Sequence, residues 1–322
     1  MLRVALEGLA RQDFPSDQFE VVVVSDGATD GTDTLLAELA VPGKLPYCLR
    51  PILQENGGPA RARNRGIQEA RGDVVVFLDD DVEAAPQFLS AHAAHHADNE
   101  QIVVIGPMSP DPQLRGQEPC WIAWEHAMLE KQYAAWRTGE WESAGPNHFY
   151  SGNASVRRAH LLQVGGFDET FKRQEDVEMA YRMERECNVR FTFDATALGI
   201  HRPDRTLSSW RRVPLAYGNL DVVRARRGDV RWELLQQSYH QRNRLTQRII
   251  SLWLRNPANA QPLESVLVAT ARSLYAMRLA KPSLNALSAL YNLLYMQGVY
   301  EGLEKNPAEM RALIAREGIY AN

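Results

Sequence analysis

The feature that most constrains this chain is an unbroken apolar run that ends in three carboxylates. Residues 74–78 read Val-Val-Val-Phe-Leu, and Asp79, Asp80 and Asp81 follow directly. A continuous apolar run of this length is typical of a strand buried on both faces, as in parallel sheets. Open α/β sheets bind ligands outside the carboxyl ends of such strands. The acids are therefore predicted to lie at a ligand crevice, and the competing interpretation is a solvated turn.

The same three acids also predict a metal site. Adjacent carboxylates repel one another unless a cation or hydrogen-bond donors compensate their charge. Hard oxygen ligands packed this closely suit Mg²⁺ or Mn²⁺, which usually takes substrate phosphates as further ligands. We therefore expect a divalent cation at this edge of the sheet.

Alternating strand and helix patterns predict an α/β fold. A second apolar run at 20–24 leads into a polar turn, where Asp30 is the predicted N-cap of a helix over 32–40. Further helical patterns cover 1–11, 60–71 and 86–97, and further strand patterns cover 102–105, 151–156, 189–193 and 195–200. Strands and helices in this order form βαβ units.

The remaining segments are less regular or wholly helical. Residues 107–150 are rich in Pro, Trp and Gly, which predicts loops and short helices over a pocket. From about residue 208 the pattern is helical. Residues 205–255 carry eleven arginines against three acids. This basic segment suits an anionic membrane surface, and the alternative is a surface that faces an acceptor or a second subunit in a homodimer.

Composition excludes several classes of protein. The 322 residues carry a net charge of −4, which does not favour a nucleic-acid partner. The three cysteines are far apart and show no metal or disulfide spacing, so a reducing cytoplasm is expected. No uninterrupted apolar run reaches the ~18 residues of a membrane span.

Five motifs in a fixed order resemble one enzyme family. They are Val-Val-Val-Val-Ser-Asp-Gly-Ala-Thr-Asp-Gly-Thr at 21–32, Ala-Arg-Asn-Arg-Gly at 62–66, Phe-Leu-Asp-Asp-Asp at 77–81, Gly-Gly-Phe-Asp-Glu at 165–169 and Glu-Asp-Val-Glu at 175–178. Together they resemble the inverting GT-A glycosyltransferases of family 2. The resemblance implies a Rossmann-like, mostly parallel sheet flanked by helices over 1–225, with a helical C-terminal extension over 226–322.

The resemblance also implies a set of donor-side and metal residues. Asp26 matches the acid that contacts the nucleotide base. The other matching positions are Arg63 and Asn64 near the nucleotide and diphosphate, Asp79 and Asp80 near the ribose, Gly166 and Glu175 on the donor side, and Asp79, Asp81 and His201 at the metal. A solvated basic face is the alternative for Arg63 and Asn64, and a structural role is the alternative for His201.

On the acceptor side, the resemblance implies Gly152 and Asn153 as acceptor-binding residues and Asp176 as the catalytic base. An acceptor hydroxyl is a poor nucleophile unless a nearby carboxylate takes its proton during attack. Glu175 and Asp176 could instead be ordinary acids at a helix N-terminus.

The implied function is transfer of a sugar from a nucleotide-diphosphate donor, with UDP the expected nucleotide, to a glycan or lipid-linked acceptor of cell-envelope polysaccharide type. Mg²⁺ or Mn²⁺ is the expected cofactor, and the expected location is the cytoplasm or the inner face of the membrane. A nucleotidyltransferase would show a Gly-rich phosphate loop after its first strand, which is not seen. A non-catalytic nucleotide-sugar-binding or scaffold protein remains the other alternative.

One departure from the family pattern concerns the start of the chain. The family normally opens with an apolar strand, whereas Met1 lies inside the helix that should follow it. We therefore expect that this strand and its nucleotide loop are missing, and that the native protein begins about 10–20 residues earlier.

Overall fold

The computed structural model describes residues 1–142, 144–171, 173–228, 230–257 and 260–315. The chain divides into two compact units, of which the first comprises 1–115 and 126–204 and the second comprises 116–125 and 205–322. Residues 205–225 thus fall in the second unit, whereas the sequence analysis placed them in the first domain.

Nine strands form three small sheets within the described residues of the first unit. They are β1 (Glu20–Asp26), β2 (Cys48–Gln54), β3 (Val74–Leu78), β4 (Val82–Ala84), β5 (Ile102–Ile105), β6 (Met108–Pro110), β7 (Asn153–Arg157), β8 (Arg190–Phe193) and β9 (Gly199–His201). The strand orders are β1-β2, β3-β7-β5-β8 and β4-β9-β6. The pairs β1–β2, β5–β8 and β6–β9 are parallel, and β7 and β9 supply the antiparallel ladders.

Helices surround these sheets and form the second unit. The first group is α1 (Leu2–Leu9), α2 (Thr32–Leu39), α3 (Pro59–Glu69), α4 (Phe88–Ala97), α5 (Cys120–Arg137), α6 (Arg158–Gln163) and α7 (Glu175–Cys187). The second group is α8 (Leu207–Arg227), α9 (Trp232–His240), α10 (Arg244–Arg255), α11 (Ala260–Ala276), α12 (Ala280–Gly302) and α13 (Pro307–Ile314). The predicted α/β class with C-terminal helices is confirmed. No helix among the described residues has both the length and the apolar composition needed to cross a bilayer.

β2 and α5 are among the elements that differ from the sequence-based expectation. β2 was not predicted, because Arg50 and Pro51 interrupt its apolar pattern, and Pro is tolerated there since β2 lies at a sheet edge. The segment 107–150 was expected to hold loops and short helices, but it contains the 18-residue helix α5. The Ala, Glu, Lys, Gln and Met content of α5 favours a helix more than its tryptophans suggested.

A slot lies between β1 and β3. Among the described residues, β1 pairs with β2 alone and β3 pairs with β7 alone. These two strands, together with side chains of α1 and α3, line a cavity of about 590 Å³. The valines at 21–24 and 74–76 are consequently only half-buried, although their unbroken apolar runs predicted strands buried on both faces.

β1 and β3 run in the same direction along this slot. Near their amino ends, the Glu20 carboxylate accepts a hydrogen bond from the backbone N–H of Arg71 at 2.6 Å. At their carboxyl ends, Asp26 and Asp79 line the same cavity. The slot therefore has parallel strand edges as its sides, and Asp26 and Asp79 lie at its carboxyl end.

A polar network lies between α4 and the four-stranded sheet. His92 Nδ1 and His96 Nε2 lie 2.9 and 2.8 Å from the Ser155 hydroxyl oxygen on β7. Burial lowers the pKa of both histidines to about 4. Both rings are therefore neutral at pH 7, and their hydrogen bonds hold α4 against β7.

Glycines bring α8 and α12 close together in the second unit. A Cβ atom at Gly218 would lie 2.0 Å from the carbonyl oxygen of Tyr295, and one at Gly298 would lie 2.0 Å from that of Leu215. Only glycine fits at such positions, because a backbone carbonyl cannot move aside cheaply. Around this seam, Leu290 and Leu293 are fully buried.

Candidate active site

The turn after β3 displays the three carboxylates at the open end of the slot. The Asp79 N–H donates to the Gly152 carbonyl at 3.2 Å, and the Val82 N–H donates to the Asp79 carbonyl at 3.1 Å. A Cβ atom at Gly152 would lie 2.6 Å from Asp79 Oδ2. A side chain at position 152 would therefore displace the Asp79 carboxylate, and in this structure Gly152 supports the carboxylate turn.

Strand pairing brings Asp81 and His201 together across 120 residues of sequence. β4 and β9 pair in antiparallel register with Val82 opposite His201. His201 Nε2 then lies 3.5 Å from Asp81 Oδ2. The other ring nitrogen, Nδ1, is buried and has no hydrogen-bond partner among the described residues.

These two residues fit only part of a metal site. No group of three or more His, Cys, Asp or Glu side chains placed to hold a metal occurs in the described part of the chain. Asp79, the third predicted ligand, is 3.4 Å from Arg63 Nη2 instead. Mg²⁺ is commonly bound through one or two carboxylates plus substrate phosphates, so Asp81 and His201 fit a cation that a diphosphate completes.

The acids of the turn interact electrostatically. Desolvation raises the pKa of Asp79; Arg63 opposes this effect, and the charge of Asp81 adds to it. Desolvation and the charge of Asp81 likewise raise the pKa of Asp80, which is exposed at the turn. A bound cation would relieve this repulsion.

Arg63 on α3 connects two acidic groups of the site. Its Nη1 donates to Glu175 Oε1 at 2.9 Å, while its Nη2 lies 3.4 Å from Asp79 Oδ1. The guanidinium also lies over the Phe167 ring, 5.7 Å from its centre. Arg63 and Glu175, both predicted on the donor side, therefore form one ion pair next to the carboxylate turn.

Asp176 lies in the first turn of α7, where the preceding Gln174 has a left-handed backbone with φ of 56°. Its Oδ1 accepts a hydrogen bond from the Val177 N–H at 2.8 Å. Burial, together with the adjacent charge of Glu175, raises the pKa of Asp176 to about 6. A carboxylate with this pKa is ionised at pH 7 and can still accept a proton readily.

Two residues near Asp176 were missed by sequence reasoning. Burial raises the pKa of Tyr150, and the charge of Asp176 contributes to the rise. The Tyr150 hydroxyl donates to Gln132 Oε1 at 3.2 Å. Tyr150 lies two residues before Gly152, a predicted acceptor-binding position that could have suggested it, whereas nothing in the sequence singles out Gln132 on α5.

Asp26 holds the loop ahead of α3. Its carboxylate accepts hydrogen bonds from Gln54 Nε2 at 2.7 Å and from the N–H groups of Gly57 and Gly58 at 2.8 Å. Although desolvation opposes the effect, these donors lower the pKa of Asp26. Asp26 lines the slot and orders this loop, and its contact with a nucleotide base stays a prediction.

Asn64 and Gly166 contact each other. Asn64 Oδ1 accepts the Phe167 N–H at 2.7 Å, and its Nδ2 donates to the Phe167 carbonyl at 2.9 Å. A Cβ atom at Gly166, whose φ is +75°, would lie 2.4 Å from Asn64 Oδ1. In this structure the close approach at Gly166 is to Asn64, and Asn64 anchors the 165–169 loop.

Asn153 differs from its predicted acceptor-binding role. Its side chain is fully buried, with Nδ2 donating to the carbonyls of Pro107 and Ala197 at 2.9 and 2.8 Å. Its Oδ1 lies 2.9 Å from His92 Nε2. These contacts occupy the amide, and no part of the Asn153 side chain is exposed, so Asn153 is a structural tie rather than an acceptor contact.

The expected role of Asp30 also changes, because the N-cap of α2 is Gly31.

The fold defines the class of protein. Mannosyltransferase PcManGT from Pyrobaculum calidifontis, solved with GDP-Man and Mn²⁺, aligns with 95% of this chain and 84% of its own length, with a TM-score of 0.57 and 20% identity. At that identity the likeness concerns the fold alone, and the fold is that of a GT-A glycosyltransferase. The Glycosyl transferase family 2 model matches residues 1–165, and the chain belongs to this family.

Two named relatives are similar in sequence to part of this chain. Validoxylamine A glucosyltransferase from Streptomyces hygroscopicus subsp. limoneus is 31% identical over 227 residues, which cover 63% of this chain and 49% of that protein. The poly(ribitol-phosphate) beta-N-acetylglucosaminyltransferase TarS from Staphylococcus aureus strain Mu50 is 37% identical over 97 residues, 29% of this chain and 17% of that protein. The chain thus spans about half the length of the first of these relatives.

Proposed function

We propose that this chain transfers a sugar from a nucleotide-diphosphate donor to an acceptor hydroxyl, with inversion at the anomeric carbon. The observation that carries the proposal is Asp176, a carboxylate whose pKa is raised to about 6 beside the Arg63–Glu175 ion pair. A base with this pKa suits removal of a hydroxyl proton near neutral pH. Family membership supports the same activity.

In the proposed reaction, ionised Asp176 takes the proton of the acceptor hydroxyl while its oxygen forms the bond to the anomeric carbon. The bond from that carbon to the diphosphate oxygen breaks on the opposite face, which inverts the configuration. Arg63 lies beside Asp79 and is positioned to offset negative charge on the leaving diphosphate. Asp81 and His201 would hold Mg²⁺ or Mn²⁺, which supplies further positive charge there.

The surroundings of the carboxylate turn support a nucleotide donor. Asp26 and the carboxylate turn line one cavity, in keeping with a nucleoside at the carboxyl ends of β1 and β3. We propose UDP as the nucleotide and a hexose as the sugar, and the name of the validoxylamine relative, a glucosyltransferase, supports the hexose. The acceptor is proposed to be a glycan or a lipid-linked saccharide of the cell envelope.

Location and assembly are part of the same proposal. Many basic residues of 205–255 have acidic partners, such as Arg205 with Glu125 and Arg211 with Glu264. The exposed face of α10 nevertheless carries three arginines and two leucines, namely Arg244, Leu245, Arg248, Leu252 and Arg255. We propose that the protein is cytoplasmic. This face of α10 suits either anionic lipid at the inner surface of the membrane or a second subunit.

Replacing Asp176 tests the proposed base. We expect Asp176→Asn to leave donor affinity unchanged and to lower kcat by roughly two to four orders of magnitude, the usual scale for loss of a general base. In the unmodified chain, kcat should fall as the pH drops below about 6, because Asp176 then becomes protonated. Turnover of UDP-sugars with Mn²⁺ and an added acceptor measures both effects.

The matched control is Glu184→Gln, which removes an exposed carboxylate from the same helix. It should keep the rate and pH profile of the unmodified chain. A near-normal rate for Asp176→Asn would move the role to Glu175 or Asp168. Absence of turnover in the unmodified chain, with UDP-sugar binding intact, would favour the non-catalytic alternative.

Replacing Asp81 tests the proposed metal contact. We expect Asp81→Asn to abolish the gain in UDP affinity that Mn²⁺ provides, because the hard oxygen ligand at this position is weakened. Isothermal calorimetry of UDP with and without Mn²⁺ measures this gain. Asp73→Asn, an exposed acid ahead of β3, should leave it intact, and equal gains in both variants would contradict the assignment.

A further inference from the structure

We propose that an aromatic surface at the end of α5 binds one ring of the acceptor, and that the acceptor is an uncharged oligosaccharide. The aromatic surface consists of Trp136, Trp141 and His148. This inference rests on the proposed function, because it assigns the acceptor side of the same site. The exposure, order and surroundings of Trp141 carry it.

Trp141 is the exposed member of the aromatic surface. It is 43% exposed, and among the Phe, Trp and Tyr side chains that the structure describes it alone is exposed. A single exposed apolar side chain needs no special role. A tryptophan on an ordered surface is different, because its flat face matches the C–H face of a sugar ring and the contact removes a large aromatic area from water.

The backbone after α5 fixes the position of Trp141. Gly139, with φ of +72°, follows the end of the helix, and its N–H donates to the Trp136 carbonyl at 3.2 Å. The Trp141 N–H donates to the Ala135 carbonyl at 3.2 Å. The chain thus folds back on the last turn of α5, and Trp141 needs little further ordering when a sugar binds.

Ring contacts join the three members into one surface. The ring centre of Trp141 lies 6.3 Å from that of Trp136 and 6.4 Å from that of His148. The rings of Trp136 and His148 are 5.0 Å apart and nearly perpendicular. Phe193 on β8 packs against Trp136 at 5.0 Å. Trp141 is therefore the exposed edge of a packed aromatic layer.

His148 adds a hydrogen-bond donor to this surface. Its Nδ1 accepts the Gly145 N–H at 3.1 Å. Burial lowers the pKa of His148, so the ring is neutral at pH 7. A neutral ring whose Nδ1 accepts carries its proton on Nε2, and this N–H can donate to a sugar hydroxyl.

The aromatic surface continues toward Asp176. Gln132 lies one turn before Trp136 on the same face of α5, and its Oε1 accepts the Tyr150 hydroxyl at 3.2 Å. The charge of Asp176 acts on Tyr150. A 3₁₀ helix at Pro146–His148 packs against α7, which carries Asp176. The base and the aromatic surface therefore share one side of α7.

The chain between His148 and Ser151 limits their separation. Three residues of extended chain span at most about 11 Å, and the Ser151 backbone hydrogen bond acts on the pKa of Asp176. An oligosaccharide whose terminal hydroxyl meets Asp176 can therefore place its next ring on the aromatic surface.

Unpartnered donors favour a sugar over a lipid chain. Gln132 Nε2 and Trp136 Nε1 are buried and have no hydrogen-bond partner among the described residues. A buried donor without a partner is costly. Sugar hydroxyls offer acceptors to these groups after a small change of rotamer, whereas a lipid chain offers none.

The charge around Trp141 favours an uncharged sugar. Glu140 and Glu142 flank Trp141 and are exposed, and residues 139–148 include no Lys or Arg. Two carboxylates beside the ring repel a phosphate group or a uronic acid. The acceptor class is therefore a neutral glycan.

Saturation-transfer NMR tests sugar binding without donor or metal. The probes are methyl β-cellobioside and methyl β-maltoside, which are neutral disaccharides. We expect binding of at least one of them, with the strongest transfer to the C–H protons of one ring face, and binding of neither would overturn the proposal. Cellobiouronic acid, which carries one carboxylate, should bind more weakly than the cellobioside, and equal binding would overturn the neutral class.

Variants at position 141 locate the binding. Trp141→Ala should lower disaccharide affinity about tenfold, because the stacking area is lost, whereas Trp141→Phe should retain most of it. Leu162→Ala removes a side chain that is 47% exposed on α6, and it should leave the affinity unchanged. Equal affinities of Trp141→Ala and the unmodified chain would overturn the proposal.

Turnover tests the link between this surface and Asp176. With a UDP-hexose, Mn²⁺ and the disaccharide that binds, Trp141→Ala should raise the acceptor KM about tenfold and leave kcat and donor affinity unchanged. An unchanged acceptor KM in this variant would overturn the acceptor role. Disaccharide binding that depends on Trp141, without turnover, would support the sugar site and count against the proposed function.

Discussion

The seam between α8 and α12 is closely packed, whereas the slot between β1 and β3 is open. At the seam, a methyl group added at Gly298 would lie 2.0 Å from a backbone oxygen. At the slot, a methyl group added at Gly66 has its nearest neighbour at 3.7 Å. Both glycines lie within helices, so the difference reflects what each helix faces. A helical glycine therefore marks close packing only when its missing Cβ has no room.

The same contrast holds for the apolar side chains. Leu290 on α12 is fully buried, whereas Val23 on β1 is half-buried against the slot. Burial stabilises in proportion to the apolar area removed from water. The seam should therefore contribute fully to the stability of the second unit, while the slot contributes less than its valine-rich sequence would allow.

The largest expected effect concerns these two side chains. Leu290→Ala should lower the free energy of unfolding by about 2–5 kcal/mol, because it leaves a cavity in a closed core. Val23→Ala should cost about 1 kcal/mol, because much of the removed surface is already accessible from the slot. Urea titrations followed by circular dichroism measure both, and equal costs would break the comparison.

A smaller effect is expected at the seam glycine. Gly298→Ala should lower the free energy of unfolding by about 1–3 kcal/mol, since the added Cβ forces the α8 backbone away. Thermal unfolding of the variant beside the unmodified chain measures this cost. Ser265→Ala, at an exposed position of α11, serves as a control for a helix substitution without a clash, and a harmless Gly298→Ala would show that the seam can yield.

The smallest effect has the opposite sign. Gly66→Ala should raise the free energy of unfolding by about 0.4–1 kcal/mol, because alanine reduces the entropy of the unfolded chain and meets only ordinary contacts here. The same thermal measurement applies. A destabilised Gly66→Ala would mean that the slot is narrower in solution than in the structure.

The sequence allowed prediction of those parts of the fold that local patterns determine. The apolar runs at 20–24 and 74–78 predicted β1 and β3, and helical patterns predicted α1 and α3. β2 was not predicted, because Pro51 interrupts its apolar pattern. The apolar runs alone predicted strands buried on both faces, whereas their valines are half-buried. A local pattern cannot report whether a neighbouring strand is present.

Candidate site residues could be named from the sequence, but their contacts could not be predicted from it. The position of Asp81 was given by the end of an apolar run, yet its contact with His201 depends on the pairing of β4 with β9. The ion pair of Arg63 with Glu175 joins residues 112 apart. Tyr150 approaches Asp176 only through the tertiary fold. Asn153 was placed at the acceptor by resemblance, and burial gives it another role.

The buried histidines of α4 bear on how acid affects this protein. The pKa of His92 and His96 is about 4 in the folded chain, but about 6.5 when unfolded. The contribution of these histidines to the free energy of unfolding is therefore fully present above about pH 6.5. It is lost as the pH falls toward 4, because the unfolded chain binds their protons first. Protonation of Asp176, near pH 6, begins within the same range. Acidification therefore protonates Asp176, the proposed base, first, while His92 and His96 of the folded chain stay neutral until about pH 4. Below pH 6 the fall in rate should thus be accompanied by a fall in the free energy of unfolding.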